Sequence, residues 1–285
     1  MIYALRHTTR YDYSETVPIC YNRAHLTPRN DGKQRAIDRR IRVTPAGAVF
    51  AAPRVDMFGN EVTYFTVQGP HHSMEVTLEA RVEVAPSAYI DLNDSPAWET
   101  AAQGEGVDAG ARQFAYDSKF VVPSPLLRAY AAPSFPTGRP LLAAASDLTA
   151  RIHRDFTYDP AATTVSTPLD EVLRDRRGVC QDFAHLAIGC LRSMGVPARY
   201  VSGYICAGGA PHLTGAQASH AWLSVFCPER GWIDFDPTNN MVPSDRHITL
   251  AWGRDYDDVS PVRGVVLGGG EHTISVAVSV TPEAG

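Results

Sequence analysis

Arg177-Gly178-Val179-Cys180-Gln181-Asp182-Phe183-Ala184-His185 delivers a cysteine to the start of a buried helix. From Phe183 the apolar residues recur at threes and fours through Leu186, Ala187, Cys190, Leu191 and Met194, a complete stripe at helical period. A helix over about 180–194 with such a stripe belongs in a core. Gly195-Val196-Pro197 ends it with the residues that helix C-termini favour. Cys190 lies within the stripe and reads as packing. Cys180 lies at the opposite end, where unpaired backbone N–H groups and the helix dipole favour an anion. That is the setting in which a cysteine becomes a nucleophile. The same N–H groups, that of Cys180 included, are placed to donate to an oxyanion on a substrate carbonyl.

Downstream, three strand-like runs follow: 198–205, 220–226 and 231–236. Cys227-Pro228-Glu229-Arg230-Gly231 makes the last two a hairpin. Counted from a turn centre near 229, His220 lies nine residues back and Asp236 seven on, so the spacing makes them cross-strand neighbours. Asp234 competes with Asp236, since it shares a face with Trp232 and Asp236 at period 2. Asp236 is nearer in register to His220, and Pro237 ends the strand just after it. Cys180, His220 and Asp236 are then a thiol nucleophile, its base and the carboxylate that orients the base. A lone cysteine on an apolar helix is more often a core residue, and a lone histidine is more often structural. Spacing by itself leaves both readings open. A zinc site from Cys180, His185 and His220 lacks a fourth ligand at a familiar spacing.

Residues 1–88 carry strand signals and little helical periodicity. Met74, Val76, Leu78, Ala80, Val82 and Val84 alternate with Glu75, Thr77, Glu79, Arg81 and Glu83, the pattern of a half-solvated antiparallel strand. Shorter runs at 40–44 and 61–65 are separated by the turn Asp56-Met57-Phe58-Gly59-Asn60, as in a small β-sandwich. His71 and His72 are adjacent on a strand and so point to opposite faces, which denies them a shared ion. Residues 89–138 read as a connector with short helices near 109–117 and 124–131. A helix is expected over 139–155, and another over 168–175 with Thr167 as its cap and Pro168 at its first position. The tail from 244 to 285, with Ile274, Val276, Val278 and Val280 alternating, reads as the last strands of the second unit. Gly268-Gly269-Gly270 is a turn, since no lysine or helix start follows to make it a phosphate loop.

Composition sets the outer bounds. At 285 residues, 44% apolar and 20% charged, the chain reads as soluble and globular, with room for two modest domains. A formal charge of −5 gives no electrostatic case for nucleic acid or an anionic membrane. No apolar run is long enough to span a bilayer, and Met1-Ile2-Tyr3-Ala4-Leu5-Arg6-His7 reads as a strand start, not a signal peptide. Five widely spaced cysteines without a CxxC pair fit reduced thiols in a cytoplasm. Oligomeric state is not readable.

The chain resembles the transglutaminase-like superfamily, and more closely its bacterial members with an N-terminal β domain. Gly178-Val179-Cys180-Gln181-Asp182-Phe183-Ala184-His185, Ala198-Arg199-Tyr200-Val201-Ser202-Gly203-Tyr204, Ser219-His220-Ala221-Trp222 and Phe235-Asp236-Pro237-Thr238-Asn239 carry the likeness in the core. Thr8-Thr9-Arg10-Tyr11-Asp12-Tyr13, Leu26-Thr27-Pro28-Arg29 and Asp56-Met57-Phe58-Gly59-Asn60 carry it in the N-terminal part, and Gly253-Arg254-Asp255-Tyr256-Asp257-Asp258-Val259 and Pro261-Val262-Arg263-Gly264 near the end. The resemblance implies an α+β chain: a β-sandwich-like domain at 1–88, the connector at 89–138, and a papain-like core at 139–285 whose cysteine helix packs on an antiparallel sheet. It implies Cys180 as nucleophile, His220 as base and Asp236 as the orienting carboxylate. The expected chemistry is attack on an amide carbonyl through a thioester, needing no metal or cofactor. Hydrolysis makes the protein a peptidase or amidase on peptide or protein substrates; resolution by an amine makes it a transglutaminase. A catalytically silent peptide-binding module is the reading from another class.

Overall fold

The computed structural model describes residues 1–86, 88–207, 213–215 and 219–283. β1 (Ile2–Ala24) is followed by β2 (Gln34–Thr44), the short β3 (Val49–Phe50) and β4 (Arg54–Val55), and β5 (Glu61–Val84). β1 and β5 pair antiparallel over nearly their whole length, from Ile2↔Glu83 to Ala24↔Thr63, with register shifts on either side of Val17↔His71. The alternation in 74–84 is realised: Met74, Val76, Leu78, Ala80, Val82 and Val84 are all buried. His71 is buried while His72 is exposed and bonds Thr16 Oγ1, so the adjacent pair does diverge.

The connector holds α1 (Trp98–Ala102), α2 (Ala109–Arg112) and α3 (Pro125–Ala131). Ser124 caps α3 through Leu127 N–H, with Pro125 in the first turn. Then come α4 (Leu141–Asp155), β6 (Thr157–Tyr158), α5 (Leu169–Asp175), β7 (Arg177–Gly178) and α6 (Cys180–Ser193). The expected cap of α5 fails. Thr167 Oγ1 accepts from Thr164 N–H, inside the preceding turn, and Pro168 stands at the cap position without a side-chain bond.

α6 is buried almost end to end and packs on β8 (Ala198–Ile205) and β9 (His220–Cys227), with α3, α4 and α5 around it. β9 turns back into β10 (Gly231–Phe235) as the hairpin expected, and β11 (His247–Gly253) completes an antiparallel sheet in the order β10-β9-β8-β11.

After α7 (Tyr256–Val259) the chain leaves this sheet. β12 (Val262–Leu267) and β13 (His272–Pro282) both pair antiparallel with β1, completing a seven-stranded N-terminal sheet. The expectation that the tail closes the second unit is therefore corrected for residues 262–282. Alternation identifies a strand but carries no information on its partner, and the free side of β1 supplies the backbone groups that β12 and β13 need.

The two sheets are clamped at β11, an edge strand of the second. Gln34 Nε2 donates to Thr249 O at 2.8 Å and Gln34 Oε1 accepts from Thr249 N–H at 2.7 Å. Asn60, fully buried, does the same to Trp252, at 2.9 and 3.0 Å. The turn at 56–60 is thus a docking pin whose amide covers the backbone of an otherwise open edge.

Candidate active site

Cys180 is the first residue of α6, and the turn that presents it is built around Asp182. The Asp182 carboxylate accepts from Val179 N–H at 2.8 Å and from Thr163 Oγ1 at 2.6 Å. A Cβ at Gly178 would stand 2.6 Å from that carboxylate, so only glycine lets the strand pass so close to its own cap. Burial, against these hydrogen bonds, raises the Asp182 pKa. Strand β7, paired in parallel with β6, therefore ends in a tight turn that leaves the first-turn N–H groups of α6 beside the thiol.

His220 begins β9 and Asp236 follows the last residue of β10. The hairpin register pairs Phe235 with Leu223 and Asp234 with Ser224. Continued one step, it sets Asp236 beside Trp222, so His220 is a diagonal neighbour, the reach at which long side chains still meet. His220 Nε2 lies 2.8 Å from Asp236 Oδ2, with both side chains wholly buried. Asp234 is occupied elsewhere, by Ser224 Oγ and by Lys33 Nζ.

The carboxylate of Asp236 is heavily bonded. Oδ1 accepts from the backbone N–H groups of Thr238 and Asn239 at 2.9 and 3.2 Å. Oδ2 accepts from Asn239 Nδ2 at 2.8 Å and from His247 Nε2 at 3.3 Å as well as from His220. Burial alone would raise its pKa, but the charges and hydrogen bonds of His220 and His247 prevail and hold it well below the usual carboxylate range. Burial opposes protonation of His220, and the charge and hydrogen bond of Asp236, joined by Cys180, overcome it and raise the imidazole pKa. Nε2 is taken by Asp236, which leaves Nδ1 as the nitrogen for the thiol. Among the described residues Nδ1 has no hydrogen-bond partner, although Cys180 is near enough to shift the ring's protonation. Such bonds are commonly long before substrate is bound.

Cys180, His220 and Asp236 are therefore brought together. His185 is not: its Nε2 accepts from Tyr256 N–H at 3.1 Å, its ring packs 4.9 Å from Tyr200, and burial pushes its pKa down to about 3. The zinc set of Cys180, His185 and His220 does not form. Gln181 donates to Val165 O. Two residues at the site carried no clear sequence signal, His247 and Tyr158, and a third, Asn239, stood in the Phe235–Asn239 stretch without a role. Asn239 ties Asp236 to Thr214 through bonds to both backbone groups of Thr214. His247 reaches Asp236 from β11, across an irregular stretch that no periodicity describes. Tyr158, half-exposed in β6, senses Cys180 and Asp182; burial first, then their charges, push its phenol up to about 12.

A cysteine at the N-terminus of a core helix, facing a histidine and a carboxylate on an antiparallel sheet, is the papain-like arrangement. Residues 3–83 match the bacterial transglutaminase-like N-terminal region, and residues 128–237 match the transglutaminase-like superfamily. The chain belongs to the transglutaminase-like superfamily. An uncharacterized protein of Mycobacterium tuberculosis is 40% identical over 294 residues, covering 99% of this chain and 93% of that one. A protein-glutamine gamma-glutamyltransferase of Pseudomonas aeruginosa is 34% identical over 109 residues, 34% of this chain and 16% of that one. A solved structure from Cytophaga hutchinsonii, named a "putative cysteine protease", superposes with a TM-score of 0.80 at 21% identity, covering 99% of this chain and 90% of that one, and so shares the fold. No helix among the described residues is long and apolar enough to cross a membrane.

Proposed function

We propose that the protein is a cysteine-dependent amide-bond enzyme, acting on peptide or protein substrates as a peptidase or amidase. Cys180 attacks the carbonyl as a thiolate, and backbone N–H groups at the start of α6 receive the developing oxyanion. His220 passes a proton to the departing amine, forming a thioester on Cys180, and then activates the water that resolves it. Asp236 holds the imidazole with Nδ1 toward the thiol and offsets its charge. The observation that carries this reading is the His220–Asp236 bond of 2.8 Å in a fully buried pair whose imidazole also responds to Cys180. The chemistry needs no metal or cofactor.

Transfer of the acyl group to an amine is the second reading, favoured by the similarity over part of the chain to a protein-glutamine gamma-glutamyltransferase. The same residues serve it, with an amine in place of water. A silent peptide-binding module would not require three side chains of complementary chemistry to converge. Incubation with casein and a labelled primary amine, followed by mass spectrometry, separates the outcomes. New termini or released ammonia without label mark hydrolysis, label on glutamine marks transfer, and both must vanish in Cys180→Ala. Silence in every channel across a broad panel of peptides would favour the binding module.

A further inference from the structure

A second constellation lies in the N-terminal sheet, away from Cys180. Where β1 and β5 lose register around Val17↔His71, three inward side chains meet: Cys20, His71 and Met74, exposed to 0%, 6% and 1%. Cys20 Sγ is 3.8 Å from His71 Nε2 and 3.7 Å from Met74 Sδ. His71 Nδ1 lies 2.9 Å from the Gly69 carbonyl oxygen, a bond that only Nδ1–H can make. The ring proton is thereby held on Nδ1, and the lone pair on Nε2 faces the sulfur. Proteins orient a ligating histidine in this way. Asn22 Nδ2 donates to Cys20 Sγ at 3.2 Å and to Met74 Sδ at 3.6 Å, so one amide fixes both sulfurs.

Two more observations point to a ligand. Among the described residues the buried Tyr13 hydroxyl has no hydrogen-bond partner, and its ring stands edge-on to His71 at 5.9 Å. A cavity of about 310 Å³ is lined by buried Met74 and Asn22, by Tyr13 and by exposed His272, which gives the cluster a route to solvent.

We propose that Cys20, His71 and Met74 form a binding site for a soft monovalent metal ion, copper(I). Donors at roughly 2.0–2.3 Å from a three-coordinate ion stand about 3.7–3.9 Å from one another, and Cys20 already has that separation from both partners. A thioether beside a thiol selects a soft ion and excludes magnesium or calcium. Structural zinc takes four ligands from thiolate, imidazole and carboxylate, and a single imidazole falls short of the two that cupric blue-copper sites use. On binding, the Cys20 S–H bond breaks, an S–Cu bond forms and the proton leaves to solvent. Thiolate and copper(I) charges cancel, so no net charge is buried. No change of oxidation state is involved. A thiol bonded to an imidazole in a packed core is the ordinary alternative. It accounts for the Cys20–His71 contact, but not for a thioether and an amide converging on the same sulfur, with the thioether and amide lining an open cavity.

The test is an anaerobic titration of the full chain with copper(I) against a chromophoric chelator such as bicinchoninate. It is run in a Cys180→Ala background so that the candidate nucleophile contributes nothing. One tightly held copper per chain is expected, with X-ray absorption reporting sulfur and nitrogen neighbours and a rise in Tm on loading. Cys20→Ser should lose the stoichiometric site. Met74→Leu keeps the core volume and guards against a folding failure in the first variant; it should weaken binding by at least tenfold. Absence of chelator-resistant copper in the Cys180→Ala parent, or unchanged affinity in Met74→Leu, overturns the proposal.

Discussion

His247 Nε2 stands 3.3 Å from Asp236 Oδ2, the oxygen that also accepts from His220 Nε2 at 2.8 Å. Ser244 N–H points at His247 Nδ1 from 3.3 Å, so Nδ1 is an acceptor and the ring proton sits on Nε2. His247 thus donates through Nε2 from β11, at the opposite edge of the sheet from β10, and pins the carboxylate, a positioning residue for the pair. Asp236 keeps its other donors when His247 is removed, so the loss should be moderate. His247→Ala is expected to lower kcat about tenfold, equivalent to about 1.4 kcal/mol, with KM little changed. His247→Gln, whose amide offers a donor at similar reach, should recover part of the loss. Equal losses in kcat for both variants, or a loss confined to KM, would count against a positioning role.

Thiol reactivity tests the nucleophile without knowledge of the substrate. All five cysteines are buried, but Cys180 is exposed to 9% while Cys20, Cys190, Cys206 and Cys227 lie at 2% or less. Iodoacetamide at neutral pH should alkylate Cys180 first, by at least tenfold over any other thiol, as peptide mass mapping over time would show. His220→Ala should reduce that advantage, since the imidazolium that stabilises a thiolate is gone. Alkylation of Cys180 at the rate of the other thiols would falsify the activated nucleophile.

The His220–Asp236 pair also sets a pH dependence of stability. The Asp236 pKa is lowered, so its contribution is complete above the ordinary carboxylate range near ~4 and fades as pH falls toward the lowered value. The His220 pKa is raised, so its contribution is complete below the ordinary imidazole value near ~6.5 and is lost as pH rises through the raised one. Urea unfolding of the wild type and Asp236→Asn across pH 3 to 10 should therefore differ most between about 4 and 6.5, by about 3 kcal/mol, the scale of a broken buried pair. The difference should narrow on both sides. A gap that is flat across that range would mean that Asp236 is held by its backbone and amide bonds alone.

The parts of the site that follow a period were legible in the sequence, and those that do not were hidden. The stripe from Phe183 to Met194 announced α6 because a buried helix must repeat at its own pitch, and Gly178 announced the turn because Asp182 folds back over it. The unequal count from the hairpin turn to His220 and Asp236 survives as a diagonal pairing. His247 had no such signal, since residues 237–246 include Asn240 at φ 50° and obey no repeat. β13 was legible as a strand and invisible as a partner of β1, because the complement lies at the other end of the chain. Thr167 failed as a cap since its hydroxyl is satisfied three residues back. The competition between local hydrogen bonds and helix capping is not written in a motif.

Tyr158 gives the last prediction. β6 runs parallel to β7, which leads directly into Cys180, so the phenol flanks the thiol from the strand that shapes its turn. With its pKa pushed up to about 12, first by burial and then by Cys180 and Asp182, the hydroxyl keeps its proton through the neutral range. It is half-exposed and available to donate to an oxygen on a tetrahedral adduct of Cys180. Loss of one such donor costs on the order of 10²-fold in kcat in enclosed sites, and solvent access here should reduce the cost to about tenfold. Tyr158→Phe is therefore expected to lower kcat for amide turnover about tenfold while leaving iodoacetamide alkylation of Cys180 unchanged, because alkylation builds no oxyanion. A matching fall in alkylation and turnover would show instead that Tyr158 acts on the thiol itself and that the oxyanion is met by the α6 backbone alone.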